Sequence, residues 1–206
     1  SMLHAYHNYE QYAWGSDELK PLSQSSHNWA KNSNNEHRSP RHYRMALTMI
    51  DSLDTLFLMG MSNEFNRALE YLNSDSFAQC HSLDWDGSVF ETTIRVVGGL
   101  LSAYELAIGT TSTSTTTVSP MIQNLLHRAQ EYADCLMPAF STSSGIPYSS
   151  INFKTRQTKN YPWNHMSSIL SEFGSVQLEF RKLSQLTSQS SYDDAVTRVM
   201  NVMKRH

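Results

Sequence analysis

Much that would assign a chemistry at a glance is missing from this chain. Of its 206 residues only two are cysteine, Cys80 and Cys135, and there is no CxxC pair, no Cys/His quartet and no HExxH. Sequence-spaced zinc and dithiol redox sites are thereby excluded. The two cysteines leave a single disulfide and two buried thiols both open, and they say little about compartment. No apolar run approaches the roughly 20 residues that a membrane-spanning helix needs. The opening Ser1-Met2-Leu3-His4 has no charged segment followed by an apolar one, so any secretory signal or anchor is expected outside this stretch. Surplus positive charge is absent too: 16 Lys and Arg against 19 Asp and Glu give −3 with His neutral. A grip on nucleic acid or on an anionic membrane surface needs clustered excess Lys and Arg, so neither partner is expected. There is no Asn-x-Ser/Thr acceptor, and no repeat at ~34 or ~40 residues that would suggest a helical scaffold array. Convincing strand alternation is also lacking; Ile146-Pro147-Tyr148 is short and carries proline in its middle.

What remains is a folded globular chain with a helical period. Hydrophobic residues make up 39% and charged residues 17%, which argues against wholesale disorder. The length fits one domain with a real core. Leu47, Ile50, Asp54, Phe57 and Leu58 recur at three-to-four spacing, as do Phe65, Leu69 and Leu72, and as do Val89, Ile94, Val97, Leu100, Leu101 and Tyr104. Further amphipathic stretches run over 121–136, 167–186 and 192–203, and a Tyr6-Tyr9-Ala13 stripe opens the chain. About seven helices follow. Gly15, Gly60 and Gly145 mark the breaks between helical hairpins. Two stretches stand apart: 23–40, rich in Ser, Asn and His, where solvated loop histidines are expected, and 109–120, a Ser/Thr-rich insertion expected to be mobile.

Three places could carry chemistry. In Phe90-Glu91-Thr92-Thr93-Ile94-Arg95, Glu91 and Arg95 stand at i and i+4, which puts a carboxylate and a guanidinium on one helix face within mutual reach. The surrounding helix is apolar, and Gly98-Gly99 permits close helix approach. A carboxylate buried there would suit general acid work. Glu172 and Glu179, seven apart, share a second helix face; Glu179 and Arg181 read as solvated charges, while Glu172 reads equally as a functional group or as a favourable charge near a helix start. Of Asp51 and Asp54, in an apolar helix, one is expected to be buried and hydrogen-bonded.

Seven ordered blocks then resemble a known family: 4–15, 17–23, 50–56, 88–104, 136–140, 144–148 and 170–183. The family is the class I α-1,2-mannosidases, glycoside hydrolase family 47. The resemblance implies an all-α (α/α)7 barrel of helical hairpins, with residues 3–206 as its N-terminal portion. It implies a calcium-dependent, inverting glycosidase that trims terminal α-1,2-linked mannose from high-mannose N-glycans on glycoproteins, in the endoplasmic reticulum or Golgi lumen or in secretion. Carried over, Glu91 is the general acid acting through a water, Arg95 contacts substrate, and Glu172 binds sugar hydroxyls. No residue here matches the family's base or the threonine that holds calcium, so the chain alone is expected to bind calcium poorly and to hydrolyse nothing. The alternative is a mannose-glycan-binding quality-control module with the same barrel and no turnover.

Overall fold

The computed structural model describes residues 1–30, 44–111 and 118–205. Most of the polar stretch after His27 and the centre of the Ser/Thr-rich insertion, 112–117, therefore lie outside the described residues.

Helix α1 (Met2–Ala13) buries the expected Tyr6, Tyr9 and Ala13 stripe. Just beyond it Gly15 adopts φ +73°, and a Cβ there would fall 2.2 Å from the Tyr71 hydroxyl, so the turn requires glycine twice over. A two-stranded antiparallel hairpin follows, β1 (Glu18–Lys20) with β2 (Ser25–His27), registering Glu18 opposite His27. Buried Asp17 fastens this hairpin to α2 (Leu47–Leu58). The cap residue of α2, Ala46, is left-handed and offers no side-chain acceptor. Asp17 supplies it from across the chain, its Oδ1 accepting from the Leu47 N–H at 3.4 Å and its Oδ2 from the Trp29 N–H at 2.8 Å. Its main-chain oxygen takes the Thr48 hydroxyl and N–H at 2.7 and 3.0 Å.

Burial pushes the Asp17 carboxyl up to about 6, with its N–H partners pulling the other way. A raised carboxyl pKa means that the folded chain holds its proton longer than the unfolded one. The associated stability is full below about pH 4 and is lost as pH rises through about 6, roughly 3 kcal/mol in all. Urea midpoints of the complete polypeptide at pH 4.5 and 7.5 should show this fall, and Asp17→Asn should abolish it; an identical pH dependence in the two proteins would contradict the assignment.

Helix α3 (Ser62–Leu72) returns antiparallel to α2 after Gly60, again at positive φ. Strand β3 (Asp86–Ser88) leads into α4 (Val89–Glu91), a π-helical segment (Thr92–Val97) and α5 (Gly98–Thr111). Then come α6 (Pro120–Leu136), β4 (Ser150–Asn152), β5 (Thr158–Lys159), α7 (Leu170–Phe173), α8 (Gln177–Thr187) and α9 (Ser190–Met203). Helix α5 packs between α2 and α6, and α8 packs on α9. The close approach expected at Gly98-Gly99 is there: a Cβ on Gly99 would sit 2.7 Å from Ile50 Cγ2 of α2, and one on Gly98 would touch Glu179. One continuous core runs through these elements, with Leu47, Ile50, Leu53, Val97, Leu100, Leu136 and Phe180 all inside it.

The helical frame is the one read from the periodicity, with two differences. Among the described residues there are five short strands where none was read; a strand of two or three residues is too short to show alternation. The stretch 167–186 divides into α7 and α8, because the Ser175 hydroxyl takes the Glu172 carbonyl oxygen at 3.0 Å and competes with the helical ladder. Of the two cysteine readings the bridge holds: Cys80 and Cys135 are both buried and disulfide-bonded, tying the segment after α3 to α6.

Candidate active site

The candidate site is assembled where the three-stranded sheet meets the start of the long helix. Strand β4 pairs with both β3 and β5. Its neighbour Ser149 accepts from the Val89 N–H at 2.9 Å, so the sheet holds the first turn of the helix. Ser88 caps that turn, its hydroxyl accepting from the Glu91 N–H at 3.1 Å. Glu91 is thereby fixed at the helix N-terminus, half-buried, and its carboxylate accepts no hydrogen bond among the described residues.

The i, i+4 pairing expected between Glu91 and Arg95 does not form. Residues 92–97 wind as a π-helix, and i→i+5 spacing turns the residue four positions on away from its partner. Arg95 instead reaches α2, where Asp51 Oδ2 accepts from Nε at 3.0 Å and from Nη2 at 2.6 Å. The guanidinium carbon lies 4.5 Å from the centre of the Trp29 ring. Of the two aspartates in α2, Asp54 is the half-buried one, taking the Ser102 hydroxyl at 3.1 Å, while Asp51 lies at the surface beside Arg95.

Glu172, on α7, lies near enough to Glu91 to feel its charge. It lines a small cleft with Phe90, Pro147, Tyr148, Ser149 and Ser168. Burial raises its pKa, the charge of Glu91 adds to the rise, and a Ser149 hydrogen bond opposes it. Its Oε2 is buried without a partner, a free acceptor turned away from bulk water. Tyr161 closes the same region, its hydroxyl donating to the Ser149 carbonyl at 3.4 Å and its ring stacked on exposed Trp163. Glu179 is not the solvated charge that its spacing suggested. It is packed beside Gly98 with a buried, unpartnered Oε2, and burial raises its pKa.

A cleft lined by Glu172, with the charge of Glu91 reaching it and Arg95 tethered to α2, can be compared with proteins of known type. The sequence profile described as glycosyl hydrolase family 47 matches residues 1–206. This chain belongs to that family. The family 47 chain is 40% identical over 202 residues to the mannosyl-oligosaccharide alpha-1,2-mannosidase IA of Spodoptera frugiperda, covering 98% of itself and 27% of that protein. It is 36% identical over 197 residues to the endoplasmic reticulum mannosyl-oligosaccharide 1,2-alpha-mannosidase of Homo sapiens, covering 96% of itself and 24% of the relative. Among solved structures, the alpha-1,2-mannosidase from Trichoderma reesei superposes with a TM-score of 0.74 at 31% identity, over 94% of this chain and 36% of that one. The fold is thus that of the (α/α)7 barrel mannosidases, of which the chain spans roughly a quarter to a third.

The described residues do not fit a calcium ion. Calcium takes six to eight oxygen ligands. The one grouping of three ligand atoms among the described residues is Cys80, His81 and Glu131. There the sulfur belongs to the disulfide, and Glu131 is engaged by Arg128 at 2.9 Å and by the Cys80 N–H at 3.0 Å. No described helix is long and apolar enough to cross a membrane.

Sequence reasoning gave no chemical role to Asp17, Glu18 or Trp29, which brace Arg95 from the β1–β2 hairpin. Their signal was an acidic pair flanking a turn and a tryptophan in a polar stretch, neither of which names a partner 66 residues away in Arg95.

Proposed function

We propose that this chain is the part of an inverting α-1,2-mannosidase that supplies the general acid and much of the sugar pocket. The observation that carries the proposal is Glu172, which lines a cleft at the start of the long helix with a buried, unpaired Oε2 and feels the charge of Glu91, since inverting glycoside hydrolysis needs an acid placed near a sugar held by polar acceptors. Glu91 protonates the leaving glycosidic oxygen through a bridging water. Glu172, with its unpaired Oε2, accepts from sugar hydroxyls, and Arg95 donates to them. A second carboxylate about 6.5–9.5 Å from the acid must activate water on the opposite face of the ring. No residue of this chain is assigned that role, so the 206 residues alone release no mannose.

The substrate is a terminal α-1,2-linked mannose of high-mannose N-glycans, in keeping with the mannosyl-oligosaccharide named for the relatives. Calcium belongs to the complete enzyme, its ligands lying outside the described residues. Placement in an oxidising secretory lumen, endoplasmic reticulum or Golgi, or in secretion, is supported by the disulfide. The test is proton NMR of the complete native polypeptide acting on an oligomannose glycan. The expected result is release of β-mannose as the first anomer, lost on chelation. Glycan binding with no release would favour the non-catalytic module, and α-mannose would overturn inversion.

A further inference from the structure

Arg95 is gripped on three sides. Asp51 takes Nε and Nη2, and the Trp29 ring lies 4.5 Å beneath the guanidinium carbon. Trp29 is itself fixed at both ends: its main-chain N–H donates to buried Asp17 at 2.8 Å, and its indole N–H donates to Glu18 Oε1 at 2.8 Å. Glu18 is held in turn by His27 across the hairpin at 3.1 Å, and the indole N–H with His27 keeps its carboxyl below the usual range. Among the described residues Arg95 Nη1 makes no hydrogen bond, and the side chain retains 21% exposure. One amino group, with two N–H donors in a fixed plane, is left for a ligand.

We propose that Trp29 and Glu18 are positioning residues that hold the Arg95 guanidinium in a single plane, so that only Nη1 is presented, to a vicinal pair of hydroxyls on the bound oligosaccharide. The proposal rests on the reading of Arg95 as a substrate contact. Neither residue touches the reacting atoms; both act through Arg95 by sparing it the ordering that binding would otherwise require. A cation over an aromatic face is worth about tenfold in affinity when partly desolvated. The loss should therefore fall on KM and spare kcat.

The experiment compares Trp29→Leu, Trp29→Phe, Glu18→Ala and Arg95→Lys in the complete native polypeptide, with steady-state kinetics on an oligomannose glycan and a thermal melt for each. Trp29→Leu is expected to raise KM about tenfold with kcat within about twofold, Trp29→Phe to restore KM to within about threefold, and Glu18→Ala to raise KM by about threefold. Arg95→Lys raises KM at least as far as Trp29→Leu. If Arg95→Lys raises KM and neither Trp29→Leu nor Glu18→Ala does, the positioning role is overturned while the substrate role of Arg95 stands. Equal losses in Trp29→Leu and Trp29→Phe that fall on kcat and melting temperature together would reduce Trp29 to a packing residue. An unchanged KM in Arg95→Lys overturns both. Should Trp29→Leu fail to fold, Glu18→Ala decides, since it frees the indole while keeping the ring.

Discussion

Glu91→Gln, made in the complete native polypeptide, is expected to lower mannose release by about 10²–10⁴-fold while leaving glycan affinity within a few-fold. Glutamine keeps the shape of the side chain and leaves untouched the main-chain N–H that Ser88 caps, so the first helical turn and the cleft beneath it survive. What is lost is the transferable proton. The loss should appear equally in kcat and kcat/KM, because proton donation to the leaving oxygen matters only in the transition state. Calorimetric titration of the variant with an oligomannose glycan checks the binding half. Turnover equal to the parent's would remove Glu91 from the acid role, and lost binding would make it a ground-state contact.

Removing the Cys80–Cys135 bridge should produce the largest change in stability. The cystine closes a loop across 55 residues, and the entropy of that closure in the unfolded chain is worth about 4 kcal/mol. The loop encloses the whole long helix with the acid, Arg95 and Gly99, so the cross-link acts on the segment that builds the site. Cys80→Ala with Cys135→Ala, which avoids burying new hydroxyls, should lower the unfolding free energy by that amount in urea titrations of the complete polypeptide. A loss under about 1 kcal/mol would mean that the unfolded chain is already restricted over this segment.

Much of the frame was legible because burial writes a period into sequence. The stripes at Tyr6-Tyr9-Ala13 and Phe65-Leu69-Leu72 are what a helix with one apolar face must show, and each is a buried face, whereas Leu58, read with Leu47 and Ile50, is exposed. Gly15, Gly60 and Gly145 were legible as breaks for a related reason, since all three take positive φ. The strands were not, because three residues held by main-chain bonds leave no side-chain rhythm. Glu91 and Glu172 could be picked out by their apolar flanks. Their electrostatic proximity could not, because it joins residues 81 positions apart in the chain. Glu179 was misread since a seven-residue spacing gives a face without saying what covers it. Arg95 was assigned the wrong partner because spacing presumes α geometry, and a π turn leaves no mark in residue types.

That π turn works as a phase shifter. An α-helix advances each side chain by about 100° around its axis. The segment Thr92–Val97 inserts what amounts to one extra residue of slack between Glu91 and the rest of the rod. Upstream, the chain is clocked by the sheet through Ser88 and Ser149; downstream, it is clocked by the lock of Gly99 against Ile50. The two ends of one continuous rod therefore answer to different neighbours. A single-residue deletion inside 92–97 would restore a uniform winding and force a choice, with either the acid swung about 100° from its cleft or α5 rotated off α2. The two fixed ends thus set the length of this segment to the residue, while its outward positions, such as exposed Ile94, stay free to vary.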